Sequence, residues 1–133
     1  MNKYETLLNQ ALQGVVRTIL QQVQEEGIVS PSSFYLTFQT NREDVKLPDF
    51  VRAKYPEEIT LVLEHQFENL VVSDEKISVE LSFGGQYYPV EIPFNALISF
   101  MDRGQNFGIP LTPVPYVPKE EAEVISLKDL LKK

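Results

Sequence analysis

The chain has one histidine, His65, in the stretch "LEHQFENL" beside Glu64 and Glu68, so any histidine-dependent catalysis would rest on that side chain. A metal centre there would need further oxygen ligands from distant parts of the chain, and the spacing fits no metal motif. Ordinary polar contacts at a strand end describe His65 better. None of the serines stands in a Gly-x-Ser-x-Gly elbow. With no cysteine, thiol nucleophiles, disulfides and cysteine-ligated metals are excluded. Carboxylates are plentiful but form no recognisable acid/base pair. "FGG" and "DRGQNFG" lack the glycine spacing and the following helix of phosphate-cradling loops. The sequence therefore gives an enzyme no support, and neither a metal nor a cofactor is expected.

Binding chemistry is better represented. "FGGQYY", Phe83 to Tyr88, couples a two-residue turn to an aromatic-rich return strand. A sheet edge of that kind offers backbone hydrogen bonds and flat apolar surface together, which is what holds an extended peptide. The plainer alternative is that Tyr87 and Tyr88 alternate between core and surface.

These residues need a scaffold, and the hydropathy pattern supplies one. Over residues 2–26, apolar side chains from Tyr4 to Val23 recur at three- and four-residue steps, predicting a long helix. Asn2 and Glu5 have the spacing of a capping box, and Gly27 is a natural stop. That helix either lies over its own sheet or meets the same helix of a second subunit. Beyond Pro31 the period changes to two. Strands are predicted at 34–40, 59–65, 67–73, 77–83 and 86–92, with a helical turn at 49–54. Gly84-Gly85 marks a tight hairpin, and Pro89 marks an edge strand because proline cannot donate to a ladder. Residues 93–104 read as a turn followed by a strand, and the domain closes near Leu111. The expected fold is mainly β with an N-terminal helix, as a small antiparallel barrel or paired sheets of five or six strands.

Composition limits the partners. A 133-residue chain, 43% hydrophobic, suits one domain with extensions. A net charge of −7 argues against nucleic acid, which requires a basic face. No apolar run approaches the roughly 20 residues needed to cross a bilayer, and the N-terminus does not read as a signal peptide, so the cytoplasm is expected. After Leu111 come Pro113, Pro115 and Pro118, then "EVISLKDLLKK". That ending is either a short helix capped by Ser126 and packed on its own domain, or a handle for another protein.

The stretch 58–111 resembles the stringent starvation protein B (SspB) family. The resemblance rests on the strand before "FENL", the acidic turn near Asp74, the alternating run into "FGG", and the "VEIPFNAL" segment with its apolar continuation. "HQFENL", the N-terminal helix and the short tail favour the alphaproteobacterial type. The resemblance implies a non-enzymatic, homodimeric adaptor of Sm-like β fold that delivers ssrA-tagged polypeptides to the ClpXP protease. It divides the chain into a tag-binding domain (1–111) with a dimerisation helix (2–26), a proline-rich linker (112–123) and a ClpX-docking tail (124–133). The implied peptide groove runs along 59–63 and 79–86, with Val62, Val79, Leu81, Phe83, Gly84, Gly85 and Gln86 as contacts. The implied docking residues are Val124, Ile125, Leu127, Leu130, Leu131, Lys132 and Lys133, and the implied dimer contacts are Leu8, Leu12, Val16 and Ile19. An Sm-like RNA-binding module is the alternative, disfavoured by charge.

Overall fold

The computed structural model describes residues 1–64 and 66–118. Helix α1 (Lys3–Glu26) begins at a reciprocal cap: the Glu5 N–H donates to Asn2 Oδ1 at 2.8 Å, and the Asn2 N–H donates to Glu5 Oε1 at 3.0 Å. Two otherwise orphaned donors are satisfied, which fixes the start of the helix. Its apolar positions divide between two faces. Val16, Leu20 and Val23 are buried together with Asn9 and Gln13, whereas Tyr4, Leu7, Leu8 and Val15 are exposed. The apolar stripe predicted from periodicity is thus wider than the surface that the domain itself covers.

Among the described residues, seven strands, all antiparallel to their neighbours, form two open sheets. The first has the order β2-β1-β6-β7, where β1 is Phe34–Gln39, β2 Glu58–Leu63, β6 Leu97–Asp102 and β7 Phe107–Pro110. The second has the order β3-β4-β5, with β3 at Phe67–Val72, β4 at Lys76–Phe83 and β5 at Gln86–Pro93. Strand β1 alternates, burying Phe34, Leu36 and Phe38. With Phe94 and Phe100 these form the aromatic centre of the core, the Phe34 and Phe100 rings stacking at 5.7 Å. The β4–β5 hairpin turns at Gly84 and Gly85, with φ of 60° and 86°, the left-handed region that excludes most side chains. Pro89 lies on β5, an edge strand, as its missing donor requires.

Paired sheets were one of the two predicted architectures. The strand count exceeds the expected five or six because β7, "FGIP", was not anticipated. It is four residues long, ends in proline and has no alternation to reveal it; its pairing with β6 is tertiary. The short helix α2 (Asp49–Lys54) occurs where the helical turn was predicted. The polar stretch around it is closed by two arginines. Arg52 donates to the carbonyls of Thr40, Arg42 and Val45, and Arg42 pairs with both oxygens of Asp44 through Nε and Nη2, each at 2.9 Å. A loop with few apolar residues gains a fixed shape because its carbonyls share charged donors.

Candidate peptide-binding groove

Strand β2 has β1 on one side and no strand partner on the other among the described residues. Along that free edge runs an open groove of 710 Å³, between β2, helix α2 with Tyr55, and the end of β4. Ile59 and Leu61 lie along its base, with Glu58 and Thr60 at the lip. Phe50, Val51, Lys54 and Tyr55 form one wall; Ser82, Phe83 and Gly84 form the other. The aromatic rings support one another. Phe50 meets Tyr88 edge-on at 5.4 Å and Phe83 at 6.4 Å, and Phe83 lies 6.2 Å from Tyr88. The Tyr88 hydroxyl donates to Gln86 Oε1 at 2.8 Å, turning its polar end away from the cluster. Phe50 nevertheless remains 54% exposed and Tyr55 41%. Apolar rings held in place yet half open to water, beside a free strand edge, are suited to an extended chain with small or apolar side chains. Lys54 on one wall and Glu58 at the lip give the groove charges of both signs.

The residues expected at the site distribute unevenly. Phe83 and Gly84 line the groove, as do Ile59 and Leu61 of the implied strand. Gly85 and Gln86 are exposed at the hairpin turn beside it. Val79 and Leu81 are 3% and 5% exposed and face the core, so they offer no surface. Val62 sits on the outer face of β2, opposite Tyr35, and does not line the groove. Phe50, Val51, Lys54 and Tyr55 were missed, because nothing local in their polar, proline-punctuated segment marks a wall. Of the helix residues, Leu8 is exposed, Leu12 and Ile19 pack partly on the core, and Val16 is fully buried with no surface to give a partner. His65 and the tail residues Val124, Ile125, Leu127, Leu130, Leu131, Lys132 and Lys133 lie outside the described residues.

A second hollow, of 1210 Å³, is of another kind. It lies between residues 42–47, the base of the second sheet and residues 114–118, and two ion pairs lie within its lining. Arg42 pairs with Asp44, and Lys76 with Glu91 at 2.7 Å. The Lys76 hydrogen bond holds the Glu91 carboxyl below its usual range, helped by the charges of Lys76 and Lys46 against a smaller opposing effect of burial. Among the described residues no cluster of three or more His, Cys, Asp or Glu side chains could hold a metal ion.

The family model of stringent starvation protein B matches residues 6–129, nearly the whole chain. The chain belongs to the stringent starvation protein B family. No curated protein sequence gives a significant match. Membership in the SspB family supports a protease-adaptor role, whose partners are substrates and a protease. An adaptor has to hold a peptide, and apolar rings beside a strand edge are suited to that task. No helix among the described residues is long and apolar enough to cross a membrane.

Proposed function

We propose that this chain is a cytoplasmic adaptor that holds the ssrA degradation tag in the groove between β2 and the β4–β5 hairpin and delivers its cargo to ClpXP. The observation that carries the reading is that the rings of Phe50 and Tyr55 stand half-exposed beside the free edge of β2, in a member of an adaptor family. A tag lying there would cover both rings and could pair its backbone with the strand. Residues 124–133 then act as the docking segment for the N-terminal domain of ClpX, with Lys128, Lys132 and Lys133 steering an apolar contact. The outer face of α1, carrying Tyr4, Leu7, Leu8 and Val15, is the surface for a two-fold dimer, since the domain leaves that face uncovered. A dimer brings two tags and two docking segments together and gains avidity without new contacts.

The test is a fluorescence-anisotropy titration of a labelled ssrA peptide with the full chain and with a 1–122 truncation. Equal saturable binding by both is expected, with ClpXP-dependent degradation of a tagged substrate stimulated only by the full chain. Absence of binding by the folded full-length protein would remove the adaptor reading.

A further inference from the structure

Two positions on the buried face of α1 break its apolar pattern. Asn9 and Gln13 fall in line with Val16, Leu20 and Val23, yet carry amides and are only 4% and 7% exposed. A buried amide is unfavourable unless it finds partners, and an apolar side chain would make no such demand. Both partners of Asn9 belong to a single residue at the far end of the chain. Its Nδ2 donates to the Thr112 carbonyl at 2.9 Å, and the Thr112 N–H donates to its Oδ1 at 2.8 Å. One side chain thus reproduces the two-bond pairing that a neighbouring strand would give. Gln13 Nε2 donates to Asn95 Oδ1 at 3.0 Å, and the Asn95 carbonyl accepts the Val114 N–H at 2.8 Å. From the opposite side Arg42, 9% exposed, donates through Nη1 to the carbonyls of Val114 and Asn95.

We propose that Asn9 and Arg42 are positioning residues that clamp the chain at Thr112–Val114 and so fix the point from which the C-terminal segment leaves the domain. Four polar groups of this stretch are held by the domain: the N–H and C=O of Thr112 and the C=O of Val114 by side chains that are themselves buried, and the Val114 N–H by the Asn95 carbonyl. The consequence for delivery rests on the adaptor reading. With the exit at Val114, ten residues lead to Val124, which bounds the reach to about 34 Å; released back to Leu111, thirteen residues would allow about 44 Å. The clamp also seats the exit on α1, the helix proposed for dimerisation, so both exits of a dimer would have fixed positions.

The clamp can be measured without tag or protease, so its failure is separable from that of the adaptor reading. Backbone amide exchange, resolved by NMR, is followed in the full-length protein and in Asn9→Leu. The expected result is exchange at Thr112 and Val114 faster by about tenfold in the variant, with the core amides of Leu36 and Ile92 unchanged. Because the chain has no cysteine, spin labels on Glu25→Cys and Pro118→Cys report the exit directly. Their distance distribution should be narrow with Asn9 present and about twice as wide with leucine. Should Asn9→Leu fail to fold, Thr112→Pro removes the same N–H from an exposed residue, and Val114 exchange and label spread should rise in the same way. Equal exchange, or equal spread, with and without the clamp would overturn the proposal.

Discussion

Phe50→Ala separates the groove from the fold that supports it. Full burial of a phenylalanine is worth up to about 3 kcal/mol, and with Phe50 54% exposed the domain itself gains about half of that. Loss of two edge-on ring contacts, about 0.5 kcal/mol each, brings the expected destabilisation to about 2–3 kcal/mol, a fall in Tm of about 10 °C in a two-state domain. A bound peptide would cover the remaining exposed half, so truncation should weaken binding by about 1.5–2 kcal/mol, roughly 10- to 30-fold in Kd. Urea unfolding checks the first figure, and anisotropy with labelled ssrA peptide checks the second. Val62→Ala, on the outer face of β2, is the control and should stay within about twofold of the unmodified protein. Folded Phe50→Ala that binds the peptide within twofold of the parent would refute the groove assignment. A loss with Val62→Ala equal to that with Phe50→Ala would move the site to the other face of the sheet.

Three further perturbations bear on the scaffold. Arg52→Ala leaves the Thr40, Arg42 and Val45 carbonyls without their shared donor and should cost about 2–4 kcal/mol in urea unfolding; a change below about 0.5 kcal/mol would show that water replaces the guanidinium. Glu91→Gln tests a pair that is partly open to solvent, so its expected effect at neutral pH is small, about 0–1 kcal/mol. Because the folded-state pKa of Glu91 is depressed, that contribution is present above the usual carboxylate range and is lost as pH falls through the folded value. The stability gap between the parent and Glu91→Gln should therefore close as the pH is taken below the usual carboxylate range, and a gap that widens in acid would contradict the assignment. Leu8→Glu places charge on the uncovered face of α1 and should turn a dimer into a folded monomer by sedimentation; an unchanged sedimentation coefficient would exclude that face.

Those features of the fold written into consecutive residues were readable from the sequence. The capping box at Asn2 and Glu5, the Gly84-Gly85 turn and the edge position of Pro89 each follow from one or two local groups. Strand β7 was not, since four residues ending in proline acquire strand character only from β6. At the candidate groove, the hairpin pattern pointed to Phe83 and Gly84, which line it, and also to Val79 and Leu81, which face the core. Alternation shows that two faces exist without saying which of them a neighbouring sheet covers. The wall formed by Phe50 and Tyr55 was hidden for a different reason. Its segment takes its shape from Arg42 and Arg52 binding distant carbonyls, and contacts of that kind leave no periodic mark.

Helix α1 is held at both ends of its buried face. Asn9 secures one end, and Gln24 Oε1 accepts the Val72 N–H at 2.8 Å at the other. Just past its C-terminus, the Asp102 carboxylate accepts from Ser32 Oγ and from the N–H groups of Ser33, Gly104 and Gln105. Gly104 is pressed against that junction so closely that a Cβ would lie 1.7 Å from the Pro31 carbonyl oxygen. A helix about 36 Å long, fixed to its domain at two separated points, has no hinge along its length. If two such helices join, the distance between the two grooves becomes a constant of the particle, like the span of a pair of calipers. Cargo bearing two tags would then be selected by the spacing of those tags as well as by their chemistry.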